Sequence, residues 1–81
     1  MDLTLHVGAA IRRHRDLLRL SQEELADRAG LDRSYLGGVE RGARNPSMKT
    51  LQKIADALGA DLDVLFATAR EIAREATGGK I

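Results

Sequence analysis

The feature that most constrains the fold of this chain is a glycine turn between two short helical patterns. The first pattern begins after Ser21, whose hydroxyl can accept from the backbone of Glu24 while the Glu24 carboxylate bonds back to Ser21, as in a capping box. It ends at Gly30, and the second begins after Asp32, a residue type favoured at helix starts. Two helices joined by so short a turn are typical of a helix-turn-helix.

The rest of the chain also carries helical patterns, with apolar residues at three- and four-residue spacing and no alternating strand pattern. The predicted helices span 5–18, 22–29, 33–41, 48–58 and 62–76. The sequence therefore predicts an all-α bundle of five helices. A chain of 81 residues suits one domain, which we expect to span 1–76, followed by a flexible tail at 77–81.

The composition argues against several classes of function. There is no cysteine for a disulfide or a thiolate metal site, and His6 and His14 have no third ligand nearby. No apolar run approaches the roughly 20 residues of a membrane span, and the chain does not start with the basic segment of a secretory signal. Nothing supplies an oxyanion hole for Ser34 as a nucleophile. We expect a cytoplasmic protein that is not an enzyme and uses no metal, cofactor, membrane or small-molecule ligand.

The charges are unevenly distributed along the chain. The net charge is only +1, but residues 28–53 carry six basic side chains against two acidic ones. Positive charge gathered in one segment fits a phosphate-binding face. A solvated helical surface would explain the same charges, so the charges alone leave both interpretations open.

The second helix of the turn motif has an inner and an outer side. Leu36 and Val39 face the core by their spacing. The residues left largely outside are Arg33, Ser34, Tyr35, Gly37 and Arg41. The major groove of B-DNA admits one helix, and there an arginine can bind guanine through two hydrogen bonds while a serine can reach base edges or phosphates. The sequence thus predicts that helix 33–41 reads double-stranded DNA.

Several motifs at fixed spacing resemble a known family. They are LSQEELA at 20–26, AGL at 29–31, ERG at 40–42 and NPS at 45–47. Over residues 7–66 the chain resembles Xre-type regulators, the group of phage Cro proteins and repressors, which implies a lambda-repressor-like fold and transcriptional regulation. Within that group, LDRSYL at 31–36 and ERGARN at 40–45 resemble the controller proteins of restriction–modification systems.

The resemblance implies roles for individual residues. The positions that match its DNA contacts are Gln22, Arg33, Ser34, Tyr35, Gly37, Arg41, Arg44 and Asn45. Gln22 would touch phosphate and brace the recognition helix, and Arg15 would form a buried ion pair with Glu40 that ties the first helix to the third. The chain departs from the family in having Arg19 where glycine is usual, so we expect a strained or reshaped turn before the second helix.

The fifth helix continues beyond Phe66, where the resemblance ends. Leu65, Ala69 and Ile72 lie on one face of it, at i, i+4 and i+7. We expect this face to form a two-fold homodimer, which would set two recognition helices about 34 Å apart on a palindromic operator. The alternative is that the extension packs back on the first helix. The alternative function is an antitoxin or a protein-interaction adaptor on the same fold.

Overall fold

The computed structural model describes the backbone of residues 4–78, and this part contains five α-helices and no strand. The helices are α1 (Thr4–Leu17), α2 (Gln22–Ala29), α3 (Arg33–Glu40), α4 (Met48–Leu58) and α5 (Leu62–Gly78). The predicted all-α, five-helix fold is confirmed. Helix α5 runs through 77–78, which the sequence pattern assigns to a flexible tail, and the rest of that tail, 79–81, lies outside the described residues.

Helices α2 and α4 begin at the residues that the sequence marks. The Ser21 hydroxyl accepts from the Glu24 N–H at 3.0 Å, and the Ser21 N–H donates to the Glu24 carboxylate at 2.8 Å, so the predicted capping box is confirmed. Helix α2 ends at Gly30, whose φ of 70° is left-handed. In α4, the Ser47 hydroxyl accepts from the Thr50 N–H at 3.1 Å. Because α2 ends abruptly at Gly30, the chain changes direction there before α3 begins.

The core receives side chains from every helix. The largest of the fully buried side chains are Ile11, Leu25, Leu36, Val39, Ile54 and Leu65. Helix α1 crosses α3 so closely that a Cβ on Gly8 would overlap the carbonyl oxygen of Val39 and lie 2.7 Å from that of Glu40. A larger residue at position 8 would push the two helices apart. Gly8 therefore sets how closely α3 lies on α1, a role that the sequence pattern did not reveal.

The turn between α1 and α2 is strained, which is one of the two outcomes that the sequence predicts. Arg19 has a φ of 57° and is, among the residues described, the only one other than glycine with a positive φ. This left-handed conformation costs an L-residue roughly 1–2 kcal/mol. Beyond it, the Leu20 N–H donates to the Arg15 carbonyl at 3.0 Å, and the Leu20 side chain is buried. The strained turn thus directs Leu20 into the core and brings Ser21 to the start of α2.

Helix α5 packs along α1 of the same chain. Leu65 and Ala69 are each 0% exposed, and a 3.0 Å hydrogen bond between His14 and Thr68 links the two helices. This corrects the placement expected for the dimer interface, because Leu65 and Ala69 belong to the core of one chain and Ile72 is partly buried against it. Helix α1 offers a face that α5 covers, which is the alternative in which the extension packs back on the first helix.

Candidate DNA interface

The start of helix α3 projects from the protein because its following turns are anchored. Leu36 and Val39 are 0% and 1% exposed, which holds one side of α3 against the core. Arg33 and Ser34 precede this anchor and are exposed, and Tyr35 is partly buried. Side chains at 33 and 34 can therefore meet a partner without any change in the packing of the core.

Asp32 and Ser34 form a hydrogen-bonded pair at the tip of α3. The Ser34 hydroxyl donates to Asp32 Oδ2 at 2.6 Å, and this bond is the main reason that the pKa of Asp32 lies below its ordinary value. Asp32 occupies the predicted N-cap position, but its carboxylate makes no capping hydrogen bond. The strongest interaction of the carboxylate is thus with the Ser34 side chain, which the sequence did not predict, and weaker contacts with the backbone N–H groups of Tyr35 and Ser34 also lower its pKa.

A buried network connects Gln22 to α1 and α3. Arg15 and Glu40 form a bidentate ion pair, with Nε to Oε2 at 2.8 Å and Nη2 to Oε1 at 3.0 Å. The Gln22 amide donates to the same Oε1 at 3.0 Å, and the Glu40 side chain is only 2% exposed. The bond to Glu40 raises the pKa of Arg15 above its ordinary value. These hydrogen bonds hold the Gln22 side chain in a defined position beside α3.

Gly37 lies beneath polar side chains instead of facing outward. It is buried, and a Cβ at this position would lie 3.3 Å from Arg41 Nη1 and 3.5 Å from Gln22 Oε1. The structure thus corrects the outward placement of Gly37, because the Arg41 guanidinium and the Gln22 amide cover it. The absence of a side chain at 37 lets these two groups converge on the surface of α3.

Arg44 is held beside α3 by the loop and by two contacts of its side chain. The N–H groups of Ala43 and Arg44 donate to the Gly38 carbonyl at 2.8 and 3.1 Å. The methylenes of Arg44 cross Gly38 so closely that a Cβ there would meet Arg44 Cγ at 2.6 Å. The guanidinium lies 5.9 Å from the centre of the Tyr35 ring, within the range of a cation–π interaction. The loop thus presents a cation next to Tyr35, and Asn45 is exposed beside it.

The arrangement presents cationic hydrogen-bond donors at both ends of α3. Arg33 lies at its start, Arg41 and Arg44 lie at and beyond its end, and all three are exposed. Guanidinium groups bind phosphate oxygens and the acceptor edge of guanine, so this face suits an acceptor-rich partner such as duplex DNA. The three arginines were predicted from the sequence. The hydrogen bond between Asp32 and Ser34 and the close contact of Arg44 with Gly38 were not. For the contact of Arg44 with Gly38, the only signal in the sequence was the pair of adjacent glycines, Gly37 and Gly38, inside a short helix.

Other kinds of site are not evident in the part of the chain that the structure describes. Across residues 4–78, no three histidine, aspartate or glutamate side chains are grouped to hold a metal ion. None of the helices in this part is long and apolar enough to cross a membrane. A shallow groove between α1 and α5 is lined in part by Leu17 and Ile72.

The sequence matches a family model described as helix-turn-helix over residues 11–65. An uncharacterised HTH-type transcriptional regulator of Mycobacterium tuberculosis is 42% identical over 62 residues, which cover 76% of this chain and 44% of that protein. The chain therefore spans less than half of the length of this curated relative.

Solved structures of controller proteins are similar over more of their own length. The restriction-modification controller protein C.AhdI from Aeromonas hydrophila has a TM-score of 0.75 at 47% identity, covering 76% of this chain and 94% of that one. The controller protein C.Esp1396I, solved as a tetramer in complex with its natural 35 base-pair operator, has a TM-score of 0.80 at 32% identity, covering 88% of this chain and 93% of that one. Both structures are thus similar in sequence as well as in fold.

Proposed function

Because this chain belongs to the helix-turn-helix family of transcriptional regulators, we propose that it binds a palindromic DNA operator as a homodimer, with α3 of each copy in the major groove. The observation that carries the proposal is the exposed start of α3, where Arg33 and Ser34 project from a helix anchored by Leu36 and Val39. The similar controller protein solved on its operator supports DNA as the partner of this chain.

The contacts divide into those that read bases and those that hold the backbone. Arg33 reads a guanine through two hydrogen bonds from its guanidinium. Gln22, held by Glu40, and Arg44, held over Gly38, contact phosphates and fix the register of α3 on the duplex. The remaining contacts come from Ser34, Tyr35, Arg41 and Asn45.

Binding to duplexes selected from a random library tests this proposal. Arg33→Ala should weaken binding to the selected duplex by about 1–3 kcal/mol and relax the preference at one base pair. An equal loss on all sequences would make Arg33 a phosphate contact. Wild-type protein that selects no sequence, and whose weak binding does not depend on salt, would rule out an operator-binding role. The better interpretation would then be an antitoxin or a protein-interaction adaptor on the same fold.

A second copy is needed because one helix-turn-helix reads only a few base pairs. Of the three side chains expected at the interface, Leu65 and Ala69 are buried within the chain, and only Ile72 is partly exposed. We place the contact around Ile72 and Leu17, since Leu17 is 74% exposed and borders the same groove between α1 and α5. Burial of this exposed apolar side chain against a second copy would be favourable.

Sedimentation at micromolar concentration tests the dimer. Wild type should run as a dimer, whereas Ile72→Glu and Leu17→Glu should run as monomers. Leu17→Glu is the cleaner variant because Leu17 lies outside the core, and its circular dichroism should match that of wild type. A monomeric wild type would remove the homodimer, and a dimeric Leu17→Glu would move the interface to another surface.

A further inference from the structure

The pair formed by Asp32 and Ser34 determines which kind of hydrogen bond the tip of α3 can offer. A serine hydroxyl has one proton and can also accept through two lone pairs. Here the proton is donated to Asp32 Oδ2 over 2.6 Å, a length typical of a hydroxyl bonded to an ionised carboxylate. Both residues are exposed. While this bond is kept, Asp32 and Ser34 can accept hydrogen bonds from a partner but cannot donate one.

The residue between them has the opposite chemistry. The bond from Ser34 lowers the pKa of Asp32, so the carboxylate is ionised at neutral pH and keeps the hydroxyl proton engaged. Arg33 carries only donors. The tip of α3 thus offers acceptors at 32 and 34 and donors at 33. A partner that binds this surface must present donors opposite 32 and 34 and acceptors opposite 33.

Base edges in the major groove differ in this respect. Adenine N6 and cytosine N4 are amino donors, whereas guanine O6 and thymine O4 are keto acceptors; N7 is an acceptor in both purines. Resting on the proposed function, in which α3 enters this groove, we infer that the Asp32–Ser34 pair selects an amino base, adenine or cytosine, over a keto base, guanine or thymine. The selected base lies next to the guanine read by Arg33.

Asp32 is the positioning residue in this pair, because it acts through Ser34. A serine without such a partner can turn its proton toward guanine O6, thymine O4 or a phosphate oxygen, and so distinguishes little. With the proton held by Asp32, an approaching keto oxygen meets two acceptors and no donor. The discrimination therefore comes from a carboxylate that precedes the recognition helix rather than from a residue within it.

Dissociation constants for duplexes that carry each of the four bases at the affected position test the inference. Wild type should bind the amino bases on the order of tenfold more tightly than the keto bases, the usual scale for one mismatched base pair. Asp32→Ala and Ser34→Ala should each bring this ratio near one. Asp27→Ala removes the same charge from an exposed position of α2; it should leave the ratio unchanged and report the general gain in affinity from losing one negative charge.

Failure of this inference differs from failure of the proposed function. A wild type that selects an operator with an Arg33-dependent guanine, but whose preference for amino bases survives Asp32→Ala, would overturn the inference and leave the function intact. A keto base preferred beside that guanine would do the same. A wild type that selects no sequence would overturn both. Asp32→Ala and Ser34→Ala should still fold, since both side chains are exposed; a cooperative melting transition for each variant verifies this.

Discussion

Removing the Glu40 carboxylate should destabilise the fold strongly, because it leaves the Arg15 charge without its main partner. In Glu40→Ala, Arg15 loses both hydrogen bonds of the ion pair, and Gln22 loses its 3.0 Å bond. The Arg15 side chain is only 11% exposed, so water replaces little of what is lost. Arg15 keeps the Leu20 carbonyl at 2.7 Å and Asp16 at 3.4 Å. The cost should therefore fall near the lower end of the usual range of about 3–5 kcal/mol.

Thermal unfolding followed by circular dichroism measures this loss. For a domain of roughly 60–100 residues, about 1 kcal/mol moves Tm by 4–8 °C, so Glu40→Ala should melt at least about 10 °C below wild type. The matched control is Glu75→Ala, which breaks an ion pair between α5 and α1 with Arg13. The side chains of Arg13 and Glu75 are 42% and 58% exposed, and such exposed pairs contribute about 0–1 kcal/mol.

A double variant distinguishes the free-energy cost of leaving the Arg15 charge unpaired from the cost of lost packing. Adding Arg15→Met to Glu40→Ala removes the unpaired cation, so the double variant should recover part of the stability that Glu40→Ala loses. The reasoning is refuted if Glu40→Ala melts together with wild type. It is also refuted if the losses of Arg15→Met and Glu40→Ala simply add, because additive losses mean that the two groups do not interact.

Two further predictions concern DNA binding and the turn between α1 and α2. Arg44→Ala should lower the slope of log affinity against log salt by about one unit, as for one lost phosphate contact. Arg70 is an exposed arginine of α5, and Arg70→Ala should leave the slope unchanged. Equal slopes for both variants would place Arg44 outside the interface. Arg19→Gly should raise the free energy of unfolding by up to about 1 kcal/mol, because glycine adopts the left-handed φ without strain but loses more chain entropy on folding. An unfolding midpoint in urea below that of wild type would contradict this.

The sequence by itself determined the local elements of this protein. The capping box of Ser21 and Glu24 and the end of α2 at Gly30 were predictable because each depends on groups within one turn of helix. The spacing of Leu36 and Val39 indicated which side of α3 packs inward. It followed that Arg33, on the other side, would be exposed to a partner.

Only the tertiary structure determined which side chains of different helices contact each other. The stripe with Leu65 and Ala69 could be buried by α1 or by a second chain, and the hydrophobic effect is non-directional, so its spacing could not choose between them. Gly37 is covered by Arg41, which is four residues further along at the end of the same helix, and by Gln22 of α2, and no local pattern encodes the contact with Gln22. Close approaches between distant segments depend on how whole helices pack, and packing is a property of the assembled core rather than of any one stretch of sequence.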